Sequence, residues 1–417
     1  PRLAHMLLTA IPLGLGQEAC CLAALLSERD VLRSTDRSED VDLRLRLAII
    51  RQGQAGLDEA GQSAYIVDRN RLGRLRQEIA YWQKTFGIAG KTAFDSDCCG
   101  ILLALAYPDR IGQGRGKGRF LLRNGRGAVL KEQQPLAGEA YIVAADLADG
   151  GADSRIFAAA PVTEQALRKH LAAQIIETLT VSWDSRTQAV RAVKSERLGA
   201  LVLKEEIVAV RDREQVMTAL LQGLRLEGLA ILPWTPGCKA LLNRLRFIQR
   251  LAPDWPDFGD DSLLRELEIW LAPYLDGIRN AQQLDRINLG EALLARLTWE
   301  QQQTLNQWAP THLAVPSGRR IALDYSDSAA PVLAVKLQEM FGATETPSIA
   351  GGRIPVTLQL LSPAGRPIQV TRDLASFWRQ GYFAVKKDLK GRYPKHYWPD
   401  DPLAAVPTHR VRPPGTD

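Results

Sequence analysis

The chain has 417 residues, 46% of them apolar and 24% charged, with a formal net charge of +6. That composition excludes wholesale disorder, and the length exceeds what a single hydrophobic core serves, so roughly three units are expected. The charge is compatible with a polyanionic partner without requiring one, so its local distribution has to decide.

From Leu3 to Phe86 the pattern is helical, with apolar stripes at Leu22, Leu25 and Leu26, at Leu43, Leu45, Leu47 and Ile50, and at Leu72, Leu75, Ile79 and Trp82. The opening imitates a secretion signal, Arg2 being followed by the uncharged stretch Leu3 to Gln17. Pro12, Gly14 and Gly16 interrupt it, however, and it falls short of the roughly 18 apolar residues of a membrane span. With Pro1 in place of methionine, a piece of a longer protein is expected. No strand interrupts the pattern, which predicts an all-α unit over residues 1–98.

Beyond the apolar run Ile101 to Ala106 and Pro108, short β-prone pieces alternate with glycine at Phe120 to Arg123, Ala128 to Leu130, Tyr141 to Ala145 and Ile156 to Ala159. Asn124-Gly125 marks a hairpin whose two turn positions tolerate positive φ. A further strand pair, Ile175 to Trp183 and Gln188 to Lys194, turns at Asp184 to Thr187. These pieces predict a small OB-like β-barrel domain over residues 99–205.

Helices return between Arg213 and Trp308, bounded by Pro233, Pro236, Pro253, Pro256 and Pro273. Residues 206–310 are read as a helical connector region, with Trp234 to Phe258 as its link. Over residues 311–417 the reading is a mixed α+β domain. It comprises a hairpin at Leu313 to Tyr325, a helix at Val332 to Phe341, a strand pair at Ile354 to Leu361 and Ile368 to Val370, a helix from Thr371 to Lys390, and a disordered Pro-rich tail from Pro407. The predicted fold class is multi-domain α+β.

Five cysteines, Cys20, Cys21, Cys98, Cys99 and Cys238, lack the spacing of a metal site or disulfide framework and read as reduced core thiols, which points to a cytoplasmic protein. Five scattered histidines give no metal-binding pair, and no nucleophile constellation is visible. Gly112-Gln-Gly-Arg-Gly-Lys-Gly118 invites comparison with a phosphate-binding loop but has the wrong glycine spacing and no Ser or Thr after Lys117. Asp58-Glu59-Ala60-Gly61 has glycine where a DEAH box has histidine, and Gly61-Gln-Ser63 lacks the glycine that completes a nucleophile elbow. No catalytic, cofactor-binding or metal-ligating residue is assigned.

Two basic clusters carry a functional signal. Arg110, Arg115, Lys117, Arg119, Arg123 and Arg126 crowd the first hairpin of the expected barrel. In the terminal helix Leu374, Trp378, Tyr382, Val385 and Leu389 form a buried side. Arg372, Arg379, Lys386, Lys387 and Lys390, followed by Arg392 and Lys395, supply cations around Phe383. Cations beside an aromatic platform suit phosphates and a stacked base, so all these residues are candidate nucleic-acid contacts. A solvated basic face is the competing reading.

Read continuously, Arg366 to Trp378, Tyr382, Val385 to Lys387 and Lys390 to Pro402 resemble the C-terminal signature of DEAH-box helicases of the bacterial HrpB type. Pro1 to Leu7, Leu25 to Asp30, Ala106 to Ile111 and Asn124 to Val129 resemble earlier pieces of the same family, so the resemblance spans nearly the whole chain. It implies that the first helical unit is a ratchet-like domain, the glycine-rich unit an OB-like domain, and the last a family-specific domain. RecA-like domains upstream would bind ATP and Mg2+ and hydrolyse ATP, while this portion, without ATPase activity of its own, grips single-stranded nucleic acid, RNA ahead of DNA. No membrane partner is expected. A free-standing nucleic-acid-binding or scaffold protein without catalysis is the alternative.

Overall fold

The computed structural model describes residues 1–34, 40–53, 55, 65–88, 94–130, 134–148, 151, 153–327 and 330–413. The Asp58–Ser63 stretch, with its two decoy motifs, lies outside the described residues. The chain divides into two compact units, Pro1–Thr180 with Ala192–Val208, and Val181–Arg191 with Ala209–Asp417.

The first unit opens with helices α1 (Arg2–Ala10), α2 (Gly16–Ser27), α3 (Leu43–Gln52) and α4 (Arg69–Thr85). Asp42 and Asp68 start the last two: each carboxylate accepts a first-turn amide, from Arg44 at 2.9 Å and Arg71 at 3.1 Å. The expectation of an all-α region needs one correction. Strands β1 (Leu32–Ser34) and β2 (Tyr65–Val67) pair antiparallel, Leu32 opposite Val67. Three-residue strands are too short to show a period of two, and their partner is far along the chain. Helix α5 (Cys99–Ala106) is buried over its whole length, so its apolar run carries no amphipathic signal.

Strands β3 (Ile111–Gly114), β4 (Arg119–Leu122), β5 (Gly127–Val129), β6 (Tyr141–Ala148) and β7 (Asp153–Pro161) close into a barrel in the order β3-β4-β5-β7-β6, with β5 and β7 parallel and the other pairs antiparallel. Phe120, Leu122, Ala128, Ile142, Ala144 and Ile156 fill it. Alternate residues on the same strands, Ile111, Tyr141, Val143 and Ala145, join the helical core instead, so barrel and helices share packing within this unit. Asn124-Gly125 does turn β4 into β5, but only Gly125 takes positive φ (86°), and the Asn124 carboxamide accepts from the Arg126 amide at 3.0 Å. Helix α6 (Glu164–His170) follows, then a sheet ordered β10-β9-β8 from β8 (Ile176–Asp184), β9 (Ala189–Leu198) and β10 (Leu201–Val208).

In the second unit α7 (Arg213–Glu227) and α8 (Pro236–Leu251) lead into the short helices α9 (Asp260–Arg265), α10 (Leu267–Trp270) and α11 (Leu289–Leu294), then α12 (Trp299–Trp308). Pro236 occupies the first turn of α8, where its missing N–H is harmless. Leu242, Leu245, Phe247 and Ile248 carry α8, inside the stretch read as a link, into the core of this unit. A five-stranded sheet follows in the order β11-β12-β13-β16-β17: β11 (His312–Ala314), β12 (Arg320–Asp324), β13 (Val332–Lys336), β16 (Thr357–Leu361) and β17 (Pro367–Thr371), with the small ribbon β14 (Ser348–Ile349) and β15 (Ile354–Pro355) beside it.

Two expectations fail here. Val332–Lys336 is a strand parallel to β16, with Leu333 and Val335 buried and Ala334 exposed, and only a 3-10 turn at Leu337–Glu339 follows. The Pro-rich tail is held through residue 411: the Gln338 side-chain amide donates to the Thr408 carbonyl at 3.2 Å and the Tyr397 amide to that of Val411 at 3.1 Å. The terminal helix comprises α13 (Leu374–Ser376), a π turn at Phe377–Gly381 and α14 (Tyr382–Arg392).

Candidate nucleic-acid interface

The first basic cluster is sorted by the β3–β4 turn. Gly116, Lys117 and Gly118 take φ of 83°, 53° and 69°, three consecutive left-handed residues closed by the Arg115 amide donating to the Arg119 carbonyl at 2.7 Å. Gly118 is required, because a Cβ there would lie 3.0 Å from the Leu130 carbonyl oxygen. Lys117 holds this conformation without being glycine, which costs about 1–2 kcal/mol. A strand follows, not a helix, so the turn lacks the helix N-terminus of a phosphate loop. Arg115, Lys117 and Arg119 project from it exposed, and form no side-chain hydrogen bond or ion pair among the described residues.

The others of this cluster differ. Arg110 donates to the Ala145 carbonyl at 2.6 Å and lies 4.8 Å over the Tyr107 ring. Arg123 donates to Gln174 Oε1 at 2.7 Å, and burial pulls its guanidinium below the ordinary range. Both act within the protein, while Arg126 is exposed on the next turn.

In the second cluster the sorting is done by the segment after α14. Tyr382 is fully buried, donates to the Pro399 carbonyl at 2.8 Å, and burial pushes its phenol up. Lys386 donates to the same carbonyl at 2.9 Å and pairs with the Asp400 carboxylate, whose pKa its hydrogen bond lowers. Arg372 donates to Thr357 Oγ1 at 2.9 Å, and Arg392 pairs with Asp388 at 3.4 Å, one helical turn away. Lys395 is exposed. Arg379, Lys387 and Lys390 remain exposed and without a side-chain partner among the described residues, and Phe383 beside them is 54% exposed. Gly381 alone marks the π turn in the sequence, since a Cβ there would lie 2.7 Å from the Phe377 ring.

A cleft of about 560 Å3 in the first unit is lined by Arg44, Asp97, Cys98, Glu139, Lys169 and His170 among others. Its thiol is tied into the core: Cys98 donates to the Asp95 carbonyl at 2.9 Å, and burial drives its pKa up. Cys20 and Cys21, buried in the same core, are pushed up to about 11 and about 12. The paired cysteines are thus core thiols, as their spacing predicts.

Residues 270–402 match the family model described as ATP-dependent helicase C-terminal (HrpB_C), and residues 174–206 match that of the connector region of the ATP-dependent RNA helicase HrpB. Among curated proteins, the ATP-dependent RNA helicase HrpB of Escherichia coli (strain K12) is 38% identical over 389 residues, covering 88% of this chain and 48% of that protein. The chain therefore spans about half the length of this curated relative. Two crystal structures, of the E. coli DExH-box NTPase HrpB and of the E. coli DEAH/RHA helicase HrpB, are 36% and 33% identical to it. They match 98% and 95% of this chain and 48% and 47% of theirs, with TM-scores of 0.49 and 0.43.

Proposed function

This chain carries the C-terminal region of HrpB-type helicases, and from that premise we propose that it is the gripping, non-hydrolytic part of an ATP-dependent RNA helicase. RecA-like domains elsewhere in the same polypeptide would bind ATP and Mg2+ and release the energy, in the cytoplasm. The part described above holds the single strand.

The observation that carries this reading is the β3–β4 turn, where Arg115, Lys117 and Arg119 stand exposed on a backbone kept in an unfavourable conformation. Backbone strain of this kind persists where the surrounding structure over-determines it, and it gathers at ligand clamps. Barrel closure with a parallel β5–β7 pair supports an OB-like assignment, a fold whose loops bind single strands. Similarity to helicase family models and to an RNA helicase supports nucleic acid, RNA ahead of DNA, as the substrate class.

The test is the salt dependence of binding to a labelled oligoribonucleotide. Each phosphate neutralised on a single strand contributes about −0.7 to the log–log slope, so reversing charge at Arg115, Lys117 and Arg119 together flattens it by about 2. An unchanged slope would remove the barrel turn from the grip. ATP turnover by the purified chain, with contaminating enzymes excluded, would defeat the division of labour.

A further inference from the structure

We propose that the α14 face bearing Phe383 is a second, separate single-strand site, in which Phe383 stacks one unpaired base and Arg379, Lys387 and Lys390 hold the adjoining phosphates. The proposal takes the class of polymer from the reading above, but residues of the second unit alone carry it.

The first argument is what Phe383 gives up. Burying a phenylalanine ring is strongly stabilising, and the preceding residue, Tyr382, is fully buried in an aromatic cluster with Phe341 and Trp378. The ring contact Phe383 keeps among the described residues is an edge contact with Tyr382, ring centroids 5.6 Å apart at 68°, and Phe383 is 54% exposed. A half-exposed ring steadied from one side can offer a face to a flat partner. Bases in a duplex already stack on their neighbours, so the complement is an unpaired base.

Charge is the second argument. Lys387 follows Phe383 by one helical turn and Lys390 by two, roughly 5–6 Å and 10–11 Å of rise, while Arg379 precedes it by four residues across the π turn. The acids that adjoin them are already engaged, Asp388 by Arg392 and Asp400 by Lys386. Asp373 accepts the Ser376 amide at 2.8 Å as the cap of α13. What stays open on this face is cationic and aromatic, the complement of a single-stranded polyanion and not of a basic or apolar surface.

Rigidity is the third. The Trp378 indole donates to the Ala343 carbonyl at 2.9 Å, and Tyr382 and Lys386 both donate to the Pro399 carbonyl, so the buried side of the helix is fastened before and after Phe383. The π turn at Phe377–Gly381 stands immediately before the ring, and such turns inside α-helices concentrate at functional sites. A preset aromatic platform loses little side-chain freedom when it engages a base.

The experiment uses the full chain and two probes, a fluorescein-labelled oligouridylate and a blunt RNA duplex of equal length, read by anisotropy. Phe383→Ala, at a half-exposed position, leaves the circular dichroism unchanged and weakens single-strand binding about tenfold, inside the range measured for loss of one base stack. Phe383→Trp restores it, and duplex affinity moves in neither variant. Reversing Arg379, Lys387 and Lys390 flattens the salt slope. Wild-type binding by Phe383→Ala, or an equal loss on both probes, overturns the proposal. If the barrel-turn variant still weakens binding in that case, the proposed function stands and only this site falls; the opposite pattern leaves this site standing and removes the barrel turn.

Discussion

Gly100 and Gly73 invite the same substitution with opposite outcomes. Glycine to alanine inside a helix gains about 1 kcal/mol from propensity. At Gly73, on the exposed side of α4, an added Cβ meets nothing within 4 Å, so G73A realises that gain. At Gly100 the Cβ would sit 1.9 Å from the Pro161 carbonyl oxygen and 2.9 Å from Val162 Cβ. Non-bonded heavy atoms settle at about 3.5 Å, so α5 and the end of β7 must part by more than 1 Å. Neither is free to do so: α5 is buried throughout, Pro161 pairs with Ile142 in the barrel, and the Val162 amide donates to the Tyr141 carbonyl at 3.0 Å. Overpacking of this kind costs about 1–3 kcal/mol and more where backbone blocks the way, which outweighs the propensity gain. In thermal unfolding of the full chain, with hydrogen exchange assigning transitions to units, G73A raises the midpoint of the first unit by about 2–4 °C and G100A lowers it by at least as much. A G100A chain as stable as wild type would refute the claim that helices and barrel are packed as one body in this unit.

Other outcomes follow from the same contacts. Ellman's reagent reacts fast with the half-buried Cys238 alone, the other four thiols being buried, and simultaneous reaction of Cys20 or Cys98 in the native protein would contradict their place in the core. Asp400 titrates below the ordinary carboxylate value of about 3.9, chiefly through its hydrogen bond from Lys386. A carboxylate with a depressed folded pKa contributes its stability above the unfolded value and loses it as pH falls through the folded one, so this link weakens below the ordinary carboxylate range. Lys386→Met lets the Asp400 titration, followed by carboxyl-carbon NMR, rise toward the ordinary value; an unmoved titration would dissolve the pair.

What the sequence conveyed was local, and what it hid was pairing at a distance. Glycine and the Asn124-Gly125 dipeptide set off the barrel strands, and spacing alone marked the buried side of the terminal helix, where Leu374, Trp378, Tyr382 and Leu389 are buried and Val385 is half-buried. Val332 to Phe341 is ambiguous because Leu333, Val335 and Leu337 alternate while Leu333, Leu337 and Met340 recur at helical spacing; the parallel partner Thr357–Leu361 decides for a strand. The tail looked disordered because proline content carries no information about the Gln338 side chain that pins it. Lys386 and Lys387 are indistinguishable as adjacent letters. The Pro399 carbonyl and Asp400 engage one and leave the other open.

On the proposed reading, this sorting sets how tightly the grip holds. Of the cations that looked available, Arg115, Lys117 and Arg119 on the β3–β4 turn, Arg379, Lys387 and Lys390 around Phe383, and Lys395 beyond the helix stand exposed without a side-chain partner among the described residues. Three phosphates neutralised at one surface correspond to a log–log slope of about −2, a hold that is salt-sensitive and weak enough to exchange. A surface that bound many phosphates would anchor the strand, and a motor would have to break all those contacts at each step. Small, preset contact patches on strained turns hold a strand in register between steps and release it cheaply. On that reading the exposed cations of these two patches suit a translocating grip, and paired ones such as Lys386 belong to the scaffold around them.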